Sequence, residues 1–199
     1  MKRRKFMTWV VLSVVIGGGL YMAWSLTSRD AYESASYTVV QNDGDFEVRE
    51  YPELKLATTD MGFASQGNDG SFMRLFRYIS GANATEQKVA MTTPVFMSEG
   101  TEEESGQMGF VVPADVVKSG TPEPTGPRVS IKERLGGRFA VLRFNGCMER
   151  TDRNEMEQRL REWIVSQSFE ADDEVEFAGY DAPWMPGPFR RNEVLIRLK

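Results

Sequence analysis

The chain has 199 residues, no histidine and a single cysteine, Cys147. Without histidine there is no Ser-His-Asp triad, no Cys-His pair, and no imidazole ligand for zinc or for haem iron. With one cysteine there is no intrachain disulfide, no CxxC redox pair and no cysteine-built metal cluster. A P-loop, a GxGxxG turn and any nucleophile–base spacing are also missing, so no catalytic residue is assigned and the chain is expected not to be an enzyme. Cations are thin in the body of the protein. Lys2, Arg3, Arg4, Lys5 and Arg29 stand at the front, and removing these five charges from the net −5 leaves residues 30–199 at −10. An acidic body argues against nucleic acid as a partner.

What is present begins with a leader. Phe6 to Leu26 is an uncharged run of 21 residues behind Lys2-Arg3-Arg4-Lys5. At a 1.5 Å rise it spans roughly 30 Å, the hydrocarbon thickness of a bilayer. Trp9, Tyr21 and Trp24 sit near its ends, where interfacial aromatics belong. The reading is a membrane anchor over 1–26, with a signal peptide cut near Ala23-Trp24-Ser25 as the alternative. Positive-inside orientation puts the following domain on the extracytoplasmic side, periplasmic or extracellular. Residues 27–36 read as a tether, and the folded domain is expected over 37–199.

Within that domain, Phe46, Val48, Leu54 and Leu56 alternate with Glu47, Arg49, Glu53 and Lys55, a strand pattern, with a turn at Asn42-Asp43-Gly44-Asp45. Phe72, Leu75, Phe76 and Ile79 fall at i, i+3, i+4 and i+7, predicting a helix over 71–80. Strands follow at 88–97 and 107–112, around an acidic hairpin tip, and a Pro-rich connection spans 113–127. The second half repeats the order. It has strands at 128–133 and 138–144, a helix over 152–167 with Asp152 and Glu155 as a capping box, and strands at 175–180 and 193–198. The expected class is α+β, a distorted β-barrel of two pseudo-repeated βαβ-type halves with two flanking helices.

Two segments carry more than periodicity: Lys88-Val89-Ala90-Met91-Thr92-Thr93-Pro94-Val95, and Tyr180-Asp181-Ala182-Pro183-Trp184 followed by Arg190-Arg191-Asn192-Glu193-Val194. Pro94 belongs at an edge or bulge, and the second segment is a stiff turn leading into a last strand. Together they resemble the signatures of the SOUL haem-binding protein family, as does Phe46-Glu47-Val48-Arg49 near the start of the domain. The resemblance implies non-enzymatic binding of haem or another porphyrin in an apolar cleft beside the first helix. Carried over by position, it implies ligand contacts at Phe72, Met73, Arg74, Phe76, Arg77, Trp184 and Met185, with the arginines meeting propionates. Some relatives are credited with a histidine axial ligand, which this chain lacks. The remaining candidates for iron are Met73, Tyr78, Met185 and Cys147, and a porphyrin held by apolar contact and charge is expected instead. The implied partners are a small tetrapyrrole and, through the leader, a membrane. Another amphipathic ligand, or a protein-interaction role, keeps the same fold. Asn83-Ala84-Thr85 is formally a glycosylation sequon.

Overall fold

The computed structural model describes residues 32–62, 69–100, 105–181 and 185–199. The anchor expected over 1–26 lies outside them. Among the described residues no helix is long and apolar enough to cross a membrane.

Side-chain alternation shapes the sheet. In β9 (Gly137–Asn145), Phe139 and Val141 pack into one apolar cluster, and Ala140 and Leu142 into another on the opposite face. The same split runs through β4 (Leu54–Met61), β10 (Ala171–Gly179) and β11 (Arg191–Leu198), so the sheet is buried on both sides. The other elements are β1 (Glu33–Ser34), β2 (Thr38–Asp43), β3 (Phe46–Tyr51), α1 (Ser71–Ile79), β5 (Thr92–Thr93), β6 (Val95–Ser98), β7 (Gly106–Val111), α2 (Ala114–Ser119), β8 (Val129–Arg134) and α3 (Arg150–Ser166). A 3-10 turn, Gly187–Phe189, precedes β11.

Nine strands form one sheet in the order β2-β3-β9-β11-β10-β6-β7-β4-β8, with every described pairing antiparallel. The sheet is open, with β2 and β8 as its edges, which corrects the expected barrel. The antiparallel pairing also corrects the expected βαβ-type halves, since those require parallel strands. The doubled order of elements does appear, in an exchanged form. Strands β6 and β10 meet at the centre, while β3 pairs with β9 and β8 pairs with β4. The first half thus lends its β2–β3 hairpin to the second, and the second lends β8 to the first.

Two short links make this sheet curl. Pro52-Glu53 joins β3, second in the order, to β4, eighth. Leu135-Gly136 joins β8, ninth, to β9, third. A two-residue link reaches about 10 Å, the spacing of two packed sheet layers, so the ends of the sheet must face each other. The links touch: a Cβ on Gly136 would lie 2.7 Å from the Tyr51 carbonyl oxygen and 2.8 Å from the Glu53 nitrogen. Glycine is what allows the crossing.

Helices α1 and α3 pack on the outer face. Leu75, Tyr78 and Ile79 of α1 join Ala57, Met61, Met108 and Phe110, while Leu160, Trp163 and Ile164 of α3 join Ala140, Leu142, Phe177 and Val194. The short α2 is a third helix, absent from the sequence reading because six residues are too few for an amphipathic stripe. The capping box on α3 does not form. Glu149 is the N-cap, without a side-chain cap bond, and Asp152 falls inside the first turn. Pro94 follows a cis Thr93–Pro94 bond between β5 and the central strand β6, so it separates two strands and does not mark a sheet edge. Glu33–Ser34, read as tether, pairs in parallel with β5.

Candidate functional site

On α1, Ser71, Leu75, Tyr78 and Ile79 are buried and form the inner side. The remaining positions divide between two flanks. Phe72, Met73 and Phe76 form one. The Phe72 and Phe76 rings stack with centroids 6.2 Å apart and planes 13° from parallel, and Phe72 meets Phe110 edge-on at 5.3 Å. Phe76 is 42% exposed and Met73 47%, so the outer part of this shelf faces solvent. The other flank carries Arg74 and Arg77. Arg74 is bound into the fold: its Nε donates to Thr59 Oγ1 at 3.0 Å, its guanidinium reaches the carbonyls of Asp60 and Asp69, and it pairs with the Asp69 carboxylate at 3.8 Å. Asp69 in turn accepts from the backbone N–H of Ser71 and Gly62, fixing the start of the helix. Desolvation would raise its carboxyl, but those N–H donors and then Arg74 hold it below the ordinary value.

Arg77 is exposed, and no side chain among the described residues pairs with it. It shares a shallow cavity of about 230 Å³ with Arg74 and Arg128, closed by Tyr78, Pro124 and Pro127. None of the residues lining this cavity is acidic. Arg128 was not anticipated from sequence, because it lies just before β8, distant from α1 along the chain, and only pairing of β8 with β4 brings it near.

The other expected site residues are elsewhere or fall outside the description. Trp184 lies outside the described residues. Met185 is half-buried, its carbonyl accepts from Arg190 Nε at 2.8 Å, and no described hydrogen bond or ion pair joins it to α1. Gly187 of the same loop packs on Cys147 with no room for a Cβ. Tyr78 is buried, its hydroxyl donates to the Pro122 carbonyl at 2.7 Å, and burial raises its pKa. Of the four candidates for iron, only Met73 stands on the open side of α1. Among the described residues no group of three His, Cys, Asp or Glu could hold a metal ion.

The signature residues converge on the inner face of the sheet. Arg49 donates to both oxygens of Glu193 and, through Nε, to Glu47 at 2.6 Å. Arg191 and the Tyr180 hydroxyl also donate to Glu193, at 2.6 and 2.8 Å, and Tyr37 lies under the Arg49 guanidinium at 4.1 Å. Burial alone would raise the Glu193 carboxyl, but Arg49 and then Arg191 hold it below its ordinary value. Tyr180 is pushed upward by burial, with Glu193 adding to it. These residues fasten the first strands to the last, a role that the motif alone did not disclose.

The sequon is also structural. Asn83 is buried, its Nδ2 donates to the carbonyls of Tyr78 and Gln87, and its Oδ1 accepts from Thr85 and Gln87.

Comparison with known proteins agrees with the sequence resemblance. The family model described as SOUL heme-binding protein matches residues 32–197. Heme-binding protein 1 of Xenopus tropicalis is 28% identical over 155 residues, covering 75% of this chain and 81% of that protein. Its counterpart in Xenopus laevis is 27% identical over 157 residues, with the same coverage. Among solved structures, a hydrolase from Listeria innocua superposes with a TM-score of 0.57 at 10% identity, covering 80% of this chain and 94% of that one. EcmrR in a complex with DNA superposes with a TM-score of 0.60 at 9% identity, covering 99% of this chain and 68% of that one. At such identities these likenesses show the fold alone.

Proposed function

The chain belongs to the SOUL heme-binding protein family, and from that premise we propose that it binds haem or another tetrapyrrole on the outer flank of α1, without a histidine ligand. The observation that carries this reading is the stacked Phe72–Phe76 pair, with Phe76 and Met73 left open to solvent beside Arg77. A flat aromatic shelf suits a flat macrocycle, and a free guanidinium at its margin suits a propionate. Haem, when bound, supplies an iron centre. The residues here would hold the ring by apolar contact, orient its acid arms and leave the iron to solvent or to the weak Met73 thioether. Arg74 serves the fold, so the arginines available to propionates are Arg77 and Arg128.

Covering a few hundred Å² of apolar ring at about 25 cal/mol/Å² supplies several kcal/mol before association costs, so micromolar affinity, about 8 kcal/mol net, needs the propionate contacts as well. Binding of this kind treats iron as optional. The test is parallel titration with haemin and with metal-free protoporphyrin, followed by the Soret band and tryptophan quenching. Comparable affinities for both support the reading, and no change with either at tens of micromolar overturns it. We further propose that residues 6–26 anchor the domain on the extracytoplasmic side of a membrane. Alkaline extraction and protease accessibility of membranes from expressing cells test that placement.

A further inference from the structure

We propose that the inner face of the sheet carries a second, independent binding site, for a small polar carboxylate of the α-hydroxy or α-amino acid class. It is the cavity of about 300 Å³ bounded by β4, β6, β7, β8 and β10, lined among others by Thr58, Ser98, Gln107, Gly109, Lys132 and Arg134. At about 30 Å³ per water-sized group it holds on the order of ten heavy atoms. That is too small for a porphyrin, and the site does not rest on tetrapyrrole binding.

Arg134 is the centre of the argument. It is 7% exposed and sits among three rings, its guanidinium carbon 4.2 Å from the Phe139 centroid, 4.5 Å from Phe96 and 5.0 Å from Tyr51. One edge of the guanidinium is engaged by Glu176, through Nε at 2.9 Å and Nη2 at 2.6 Å. The third nitrogen, Nη1, is buried and has no hydrogen-bond partner. Burying such a donor without an acceptor costs about 1–3 kcal/mol, more when the group is charged. Glu176 is already neutralised by this pairing, and an acceptor entering the cavity reaches Nη1 only by displacing the side chains that now cover it.

The register supplies more groups without partners. Ser98 stands opposite Gln107 on one side and Glu176 on the other, so these three side chains form a row across β7, β6 and β10. Among the described residues the Ser98 hydroxyl and the Gln107 amide make no hydrogen bonds. In the next row Gly109 stands between Thr58 and Phe96 and contributes no side chain, its place above the sheet being taken by Leu56 and Thr58. A Cβ there would meet Leu56 Cδ1 at 3.2 Å and Thr58 Cγ2 at 3.4 Å, tight but adjustable. The rim carries Lys132 and Glu174, both exposed and without ion-pair partners among the described residues. A buried cationic donor, a hydroxyl, an amide and rim charges of both signs match a compact molecule with a carboxylate and a hydroxyl or ammonium group. They do not match an apolar or an extended ligand.

The experiment follows backbone amide shifts of the 15N-labelled protein during titration with L-lactate and L-serine, with methyl lactate as the neutral control. Shifts centred on Ser98, Gln107 and Gly109 with the acids, absent with the ester, are expected. Gln107→Leu, Ser98→Val and Gly109→Ala should each weaken the response at least fivefold and leave the remaining spectrum in place. Ser98 and Gln107 line the cavity without side-chain hydrogen bonds to the described residues, so loss of binding in their variants is separable from unfolding. Gly109→Ala also crowds Leu56 and is read beside its melting temperature. Absence of those shifts at about 10 mM acid, equal shifts with the ester, or unchanged binding in all three variants overturns the site.

Discussion

Arg49 of β3 and Glu193 of β11 meet through two parallel N–H···O bonds of 2.7 and 3.0 Å, both side chains at 0% exposure, across the intervening strand β9. Removing one member of such a pair leaves the other charge buried, which costs about 3–5 kcal/mol. Glu193→Gln should therefore lower the unfolding free energy by about 3 kcal/mol, read from denaturant midpoints at constant slope. The pH dependence follows. With the folded carboxyl held below its ordinary value of 4.5, its stabilisation is complete above that value. It is lost as the pH falls through the lower folded value. Wild-type stability should fall on acidification below 4.5, and the variant should show less of that fall.

The tyrosines around this pair report at the opposite end of the scale. Burial pushes Tyr51 up to about 12 from 10.0, against the pull of Arg49. Folding therefore favours the neutral phenol, an advantage present below pH 10 and lost as the pH rises toward 12. Phenolate absorbance should show Tyr51 and Tyr180 titrating late, together with alkaline unfolding, and Tyr51→Phe should remove one late-titrating group.

The shelf on α1 separates binding from stability. Met73 and the outer part of Phe76 face solvent, so Met73→Ser with Phe76→Ser should leave the fold intact and cost about 1–2 kcal/mol in all, most of it from the lost stack on Phe72. The same double variant should weaken protoporphyrin binding at least tenfold in a fluorescence titration. Unchanged affinity would place the porphyrin away from α1.

The two arginines of that helix should behave differently. Arg74→Ala breaks contacts to Thr59, Asp60 and Asp69 and should lower the melting temperature by several degrees in a domain of this size. Arg77→Ala should leave the melting temperature unchanged and make porphyrin affinity less sensitive to salt, as expected for loss of an exposed charge contact.

Asn83 gives a test of a different kind. Its side chain satisfies five polar groups in the turn after α1, so Asn83→Ala should cost about 2–3 kcal/mol in denaturant unfolding. Mass spectrometry of material from a glycosylating host should find the asparagine unmodified in folded protein, because its amide nitrogen is buried in hydrogen bonds.

Local chemistry was legible in the residues. The stripe of Phe72, Leu75 and Ile79 places α1 within a residue of its observed end, and Gly44 at φ +65° turns β2 into β3 as the Asn-Asp-Gly run implies. Most strand segments and their doubled order were legible as well. However, 46–56 reads as one alternating run, whereas Pro52-Glu53 ends β3 and starts β4 at the other end of the sheet order, and 88–97 holds strand only from Thr92. Closure of the sheet was not, because alternation records which face a side chain takes and is silent about which strand lies beside it. The exchange of β3 and β8 between halves is a long-range choice of partners. For that reason Arg49, Glu193 and Tyr180 read as separate motif letters, although in space they are one hydrogen-bonded group. The candidate site divides in the same way. Phe72, Met73, Phe76 and Arg77 share a helix and could be grouped by spacing. Arg128 beside Arg77, or Ser98 beside Gln107 and Glu176, needs the strand register.

The crossing of the two links at Gly136 bears on how the chain reaches this state. Since each half completes its sheet with a strand borrowed from the other, neither half has an independent native structure to form first. Contacts between β3 and β9, or between β4 and β8, join residues 70 to 96 positions apart. Loop closure over such distances precedes any reward from pairing, so folding should be slow for a domain of this length and should proceed in one concerted step. Cutting the chain within residues 113–127 would yield two fragments, each unfolded alone and competent only when both are present.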